Sequence, residues 1–417
     1  MKINIFDYGM NGEGVGKIDG KVVLTNNALI GEDVEIEVVE DNKNYSIAKT
    51  EKIISPSLNR TVPVCPYFFN CGGCQLQHMN YNEQLKFKSL LIRKTLKKIA
   101  AIDFEISTTI PCSSAINYRN KMSFSVNNTN CGLLKFNSQD IVNVESCPLA
   151  SYNINHVLRM FKNFISTNPQ SEIKNLVVRE INSQILVGIV TSKHVDLAHF
   201  FNEISTQFSN IGLFEIINTR KDSVVLSGKV IHIGGLKEIT IKNFVIDYSV
   251  DLMGFHQTNL EIQNKIYQKV LDNIDENSSV LNGFSGQGLL SAILATKAKN
   301  VVGIEINKSS HKSAELLKAK NKIKNLTNIC GDFHKEIKNL KKKHDTLILD
   351  PTKKGCGKQV MQEIIGFKNI IYISCNPIAL AKDLNIIKNH YSIEEITPFD
   401  MFPNTISLET YVKLKLK

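Results

Sequence analysis

No stretch of this 417-residue chain is apolar for long enough to cross a membrane. A spanning helix needs ~20 such residues, and the longest runs here fall far short. The first residues, MKINIFDYGMNGEG, lack the apolar core of a secretory leader, which sets the expectation of a cytoplasmic protein. No tandem repeat and no low-complexity tract breaks the chain. There is no tryptophan. Acidic residues are in deficit, 40 against 50 Lys and Arg, for a net charge of +10. That balance favours a polyanionic partner such as nucleic acid. Most of the positive residues are Lys, in a chain rich in Asn and Ile, so compositional drift contributes to the charge as well. A hydrophobic content of 42% with 22% charged residues fits a globular protein. The length is too great for one core and predicts two or three domains.

Residues 1–55 alternate Val and Ile with Gly-Asp turn signals, as in GEGVGKIDGKVVLTNNALIGEDVEIEVVE. Several short strands in so short a segment predict a small closed barrel, of which the five-stranded oligonucleotide-binding form is one and an SH3-like form another. Residues 56–79 turn to Pro, Gly and Cys, which is loop chemistry. Residues 80–100 restore a 3.6-residue period, with Leu85, Phe87, Leu91, Leu96 and Ile99 near one face and a basic outer side. Residues 108–254 mix strands with a helix at NINHVLRMFKNFI, predicting an antiparallel sheet with helices to one side. From about 260 the rhythm is strand–helix–strand, the pattern of a doubly wound parallel sheet.

The nine cysteines are unevenly spread. Cys65, Cys71 and Cys74 read C-x5-C-x2-C, a spacing that in a reducing compartment holds a metal or an iron–sulfur cluster. Three thiolates are one short of the usual four. Cys147, in VESCPLA, is the best fourth, because like Cys65 it precedes a proline. Zinc is the rival ion, with His78 as a candidate ligand in that case.

NGFSGQGLLS follows a strand and opens a helix. It has neither the third glycine of a dinucleotide fingerprint nor a Walker lysine. Gly286 and Gly288 allow close backbone approach to a ligand without phosphate. Glu305 ends the next strand, where a carboxylate can hold both hydroxyls of a ribose. Asp332, in ICGDF, falls at the end of a third strand, where an adenine edge would lie. Ligands of such sheets bind outside the carboxyl ends of the strands. Asp350 closes DTLILD there, Cys375 closes NIIYIS on the lip of its apolar run, and Glu409 lies in MFPNTISLETYVKL. A thiolate, a carboxylate base and a polar group suit one reaction well. C5 of uracil is a poor nucleophile until a thiolate adds at C6 and converts the ring to an enolate. After alkylation a base removes the C5 proton and the thiolate leaves.

These residues carry a resemblance. The chain is similar over nearly its whole length to the S-adenosylmethionine-dependent RNA uracil-5-methyltransferases, and among them to the iron–sulfur enzymes of 23S ribosomal RNA. DGKVVLTNNALIGEDVEIEV resembles their N-terminal TRAM domain. CPYFFNCGGCQLQHMNYNEQLKFK resembles their cluster motif, with YRNKMSFSV downstream. FHQTN, GFSGQG, DPTKKG, SCNPIALAKDL and MFPNTISLE match their catalytic motifs in order. The resemblance implies Cys375 as nucleophile, Glu409 as the base at C5, and Asp350 between cofactor and uracil. It implies Gln257, Phe284, Glu305 and Asp332 as cofactor contacts beside Gly286 and Gly288. It implies a 4Fe–4S cluster on Cys65, Cys71, Cys74 and Cys147. The family has Asp at Asn282, often Cys at Ser285, DPPR at residues 350–353, and a His where Ser407 stands. Lys353 keeps the charge of that Arg without its bidentate fork.

The expected fold is therefore multidomain, mixing α/β and β. An OB-like TRAM barrel spans 1–58. A central α+β domain with an iron–sulfur cluster takes 59–76 and 109–254. A Rossmann-like methyltransferase sheet takes 77–108 and 255–417. The expected partner is 23S ribosomal RNA and the expected state a monomer. The same chemistry on transfer RNA is the first alternative. A silent RNA-binding protein is the second, and retention of Asp350, Cys375 and Glu409 argues against it. A target uridine must be flipped from its stack, with Phe68, Phe69 or Phe255 as stacking partners and RKTLKK or KNLKKKH as phosphate contacts.

Overall fold

The computed structural model describes all 417 residues. No helix in it is long and apolar enough to cross a membrane. At the N-terminus a six-stranded sheet closes on itself around Ile3, Ile5, Val23, Val34 and Ile36. Six strands form rather than five because the first is split: Lys2–Asn4 pairs with Asp33–Asp41, and Asp7–Tyr8 crosses to Gly14–Ile18. One stretch of chain thus seals both edges of the sheet, and Asp19 and Gly20 turn the next hairpin with φ of 48° and 81°. Two successive positive φ values define the mirror-image turn that matches strand twist.

The central seven-stranded sheet is antiparallel except for Gln184–Thr191 beside Ile211–Ile217, a parallel pair joined through the helix Ala198–Gln207. That crossover is the departure from the all-antiparallel expectation. The helices Tyr152–Thr167 and Ala198–Gln207 bury Phe161, Phe164 and Phe200 on one face. The other face shares a core with the helix Leu260–Asp272 and the last sheet, through Val177, Leu186, Ile216, Ile262 and Ile293.

The third sheet orders its strands Leu326–Cys330, Asn300–Glu305, Ser279–Gly283, Thr346–Leu349, Asn369–Ser374, Glu409–Leu416 and Tyr391–Phe399. The first five are parallel. Glu409–Leu416 enters antiparallel, a reversal that short apolar runs do not announce. The strand order reverses between Ser279–Gly283 and Thr346–Leu349, so the ligand crevice lies outside their carboxyl ends.

The helix predicted over 80–100 spans Tyr81–Ala100, with the Asn80 side chain accepting from Glu83 N at 2.9 Å. It packs on the helix Pro377–Ile387. Its apolar face is as the period implied, but its basic side is not all external. Lys88 is fully buried, ion-paired with Asp400, and donates to Phe402 O at 3.0 Å.

Candidate active site at the strand ends

Each residue of SCNP has a local reason to be there. Asn376 caps the helix Pro377–Ile387, its oxygen accepting from Ile378 N at 3.0 Å, and Pro377 stands at the first helical position, where its missing N–H costs nothing. Cys375 is thereby held outside both strand and helix, half-buried at the crevice. Ser374 pairs with Thr410 across the antiparallel strand, which brings Glu409 to the carboxyl edge beside Cys375. Asp350 follows Leu349, whose neighbour across the switch point is Gly283.

Three groups act on the thiol. Burial, then the carboxylates of Glu409 and Asp350, push Cys375 up to about 11, and the Lys353 ammonium opposes them. Burial pushes Asp350 up to about 7. Glu409, 4% exposed, is raised well above the usual carboxylate range by burial and then by Asp350, again opposed by Lys353. The Tyr267 hydroxyl, on the helix Leu260–Asp272, lies within the field of both carboxylates. The sequence did not single it out, because a Tyr on an amphipathic helix carries no motif.

The loop bearing Asp350 and Lys353 is stapled twice to the helix after Cys375. Asn376 donates to Lys353 O at 2.8 Å. Buried Asp383 accepts from Cys356 N at 2.7 Å, Gly357 N at 3.1 Å and the Tyr372 hydroxyl at 2.7 Å. Gly355 must be glycine here: its φ is +76°, and a Cβ would lie 2.7 Å from the Asp383 carboxylate. The segment before Glu409 is fixed just as firmly through Asn404. Its carbonyl accepts from Gln75 N and Leu76 N, both at 3.1 Å, and its amide side chain and N–H bond reciprocally with Gln84. The cysteine loop thus braces the strand that carries Glu409.

The glycine loop is tightly turned. Phe284 holds φ at 62°, a costly setting for an aromatic residue, and its ring lies 5.2 Å from that of Phe333. A Cβ on Gly288 would meet Ala314 at 2.7 Å, whereas Gly286 faces open space. Glu305 accepts from Gly286 N at 2.9 Å and Asn307 N at 2.7 Å, so it ends its strand against the loop. Asp332 lies just past its strand and caps the helix Phe333–Leu340. Gln257 sits on a segment that crosses the loop, for a Cβ on Gly254 would fall 2.2 Å from the Gln287 amide. Asn282, where the resembled family has Asp, is buried and donates to Ser291 at 2.8 Å. That departure lies beneath the loop.

Cys65, Cys71, Cys74 and Cys147 line one cavity with Arg119 and Gln77. Gly73 N donates to Cys71 Sγ at 3.4 Å. Burial raises the thiols of Cys65, Cys71 and Cys74, the last to about 12. No three His, Cys, Asp or Glu side chains converge closely enough to hold a single metal ion. His78 lies outside the lining, buried, with neither ring nitrogen bonded.

Other sequence assignments fare differently. Phe68 is a core residue at 5% exposure, while Phe69 and Phe255 are 66% and 76% exposed. Lys341–Lys343 form a short turn just before Thr346–Leu349, at the edge of the sheet opposite Asp350. In RKTLKK, Lys94 pairs with Asp7 and Lys97 with Asp103 at 2.8 Å, so part of that charge is already answered.

Sheet order, crevice and strand-end thiol define the class: a methyltransferase sheet joined to a small barrel and a central domain. Residues 80–417 match the model of the tRNA (uracil-5-)-methyltransferases and residues 1–50 that of the TRAM domain. An RNA methyltransferase of Clostridium tetani, itself uncharacterized, is 30% identical over 98% of this chain and 94% of its own length. One from Caldanaerobacter subterraneus, also uncharacterized, is 33% identical over 98% and 96%. The fold is that of the Pyrococcus abyssi tRNA (uracil-54, C5)-methyltransferase in complex with S-adenosyl-L-homocysteine, with a TM-score of 0.79, 24% identity, and coverage of 99% of this chain and 100% of that one. The chain belongs to the S-adenosylmethionine-dependent RNA uracil-5-methyltransferase family.

Proposed function

We propose that this protein methylates C5 of a uridine in 23S ribosomal RNA. What supports the chemistry is one meeting of groups: Cys375, Asp350, Glu409 and Lys353 act on each other at the carboxyl edge of the sheet. The Cys375 thiolate adds to C6, and the electron pair passes to C5. C5 takes the methyl group from the sulfonium, leaving the thioether. Glu409 then takes the C5 proton, and the C6–S bond breaks to free the thiolate. Asp350 stands between the cofactor and the uracil edge. Gln257, Phe284, Gly286, Gly288, Glu305 and Asp332 surround the cofactor, which supplies the electrophilic methyl when bound. The barrel of residues 1–58 and the central domain, 59–76 with 109–254, hold the RNA against the catalytic domain, 77–108 with 255–417.

A transfer RNA substrate is the second reading. It is favoured by the match to the tRNA (uracil-5-)-methyltransferase family and by the tRNA enzyme that shares the fold. Mapping 5-methyluridine in both RNAs, from cells with and without this protein, decides between them. A 23S position that loses its methyl group is expected. Loss confined to transfer RNA replaces the substrate, and loss in neither ends the proposal.

We assign the four cysteines to a 4Fe–4S cluster, with zinc the rival ion, because four thiol donors share one cavity, the donor set such clusters take. The cluster's place against Gln75 and Leu76 suits a brace rather than a redox centre. Protein purified without air is expected to be brown with four irons per chain (as the name of the cluster requires), and to lose protease resistance around residues 60–80 when the iron is chelated. Stoichiometric zinc in colourless protein would refute this assignment.

A further inference from the structure

We propose that Lys88, with Gln84 one turn before it, is a positioning residue for Glu409: the two clamp the loop that aims this carboxylate at the C5 proton of the uracil. This rests on the RNA-methyltransferase reading and adds to it a helix from far back along the chain. The Glu409 carboxylate does not hold its own aim. Burial, Asp350 and Lys353 act on it, but no side chain and no backbone N–H donates to it. Its place is therefore set by its backbone. Glu409 is the first residue of the strand Glu409–Leu416, and it pairs with Phe399, the last residue of Tyr391–Phe399. Residues 400–408 are the loop between them. Where that loop sits decides where Glu409 points.

Lys88 holds the loop at two points. Its ammonium is ion-paired with Asp400, directly after Phe399, and donates to Phe402 O at 3.0 Å. Gln84 lies four residues earlier, on the same face of the helix Tyr81–Ala100. It donates to Asn404 Oδ1 at 3.1 Å and accepts from Asn404 N at 2.9 Å. Asp400, Phe402 and Asn404 are thus gripped in turn by one helix. Stability does not ask for charge here. Lys88 and Asp400 are both fully buried, and apolar side chains of similar volume often replace such a pair at no loss of stability. Apolar packing would fill the space and leave the loop free to slide along the helix. An ammonium held by one carboxylate and one carbonyl fixes a single register. Phe402 O does not depend on Lys88 for a partner, since Thr405 donates to it from N at 3.2 Å and Oγ1 at 2.9 Å. What Lys88 adds is the link to the helix.

The test uses full-length wild-type protein, K88M, Q84M and the charge-free double variant K88M/D400L. Melting temperature and RNA affinity are measured beside two rates. One is covalent trapping on RNA carrying 5-fluorouridine, which stops before a C5 proton would leave. The other is turnover on unmodified RNA. K88M is expected to lower turnover by ~10- to 100-fold, the effect of a base displaced by a fraction of an ångström to an ångström. Its trapping rate and RNA affinity should stay within about twofold of wild type, and methylated RNA should accumulate covalently on the protein. Q84M should show the same imbalance to a smaller degree. K88M/D400L leaves no lone buried charge, so its melting temperature should return to that of the wild type while turnover stays low. A double variant that turns over at the wild-type rate would overturn the proposal. So would a K88M protein that melts early and keeps full turnover, which would leave the pair structural. Trapping that falls in step with turnover would also overturn it, because the clamp would then act on the whole crevice. K88M/D400L and Q84M decide if K88M does not fold. Absence of trapping in the wild type would end the functional reading, and this proposal with it.

Discussion

Cys375→Ala is expected to lower RNA methylation by at least ~10⁴-fold while RNA affinity stays within about twofold of wild type. Removing a nucleophile removes the route, because uracil C5 does not attack a sulfonium until C6 carries the sulfur. The fold has little reason to respond. The thiol is half-buried at the crevice, and the structural duties around it belong to neighbours: Ser374 Oγ donates to Asn376 O at 3.1 Å, and Asn376 caps the helix. A second readout separates chemistry from damage. RNA carrying 5-fluorouridine lacks the proton that must leave, so wild-type protein should be trapped as a covalent complex that survives denaturation. The alanine variant should give none. Methylation persisting in Cys375→Ala, with normal RNA binding, would sink the mechanism.

Much of this site was legible because its parts are local. The strand ends at Asp350 and Cys375 are short apolar runs followed by turn residues, and the glycine loop is a contiguous decapeptide. What the sequence hid depends on partners far along the chain. Lys88 reads as a solvated residue until Asp400, 312 positions away, meets it. Asn404 is an unremarked amide until Gln84 and the cysteine loop close on it. Asp383 sits inside a helical pattern with nothing to mark it as the anchor of the Asp350 loop. Strand direction was hidden too. Glu409 could be suspected but not placed, because hydrophobic period is the same for parallel and antiparallel strands.

Lys353 shows how a departure from the resembled motif is absorbed. Its side chain is exposed, while Asn376 grips its backbone carbonyl. The loop is therefore held without the bidentate fork of Arg, and the point charge that remains still opposes the rise of both Cys375 and Glu409. Charge is retained where the chemistry needs it, and geometry is supplied by the backbone.

Glu409→Gln is expected to stall the reaction after methyl transfer rather than before it. Turnover should fall ~10²- to 10⁴-fold, the usual share of a positioned base. The enzyme should then accumulate as a covalent, already methylated RNA adduct, visible as a slow band on a denaturing gel with label from the methyl donor. The pH dependence gives an independent check on the same carboxylate. In the wild type, burial and Asp350 raise Glu409, and burial with both carboxylates raises Cys375 to about 11. Base and nucleophile each work deprotonated and both are raised, so wild-type turnover should climb with pH toward the Cys375 value of about 11. Glutamine removes one of the two negative charges that hold the thiol protonated. Adduct formation in Glu409→Gln should therefore begin at lower pH than fluorouridine trapping by the wild type, although turnover is slower throughout. A variant that releases methylated RNA at the wild-type rate would exclude Glu409 as the base. One whose adduct forms at unchanged pH would place its carboxylate outside the field of Cys375.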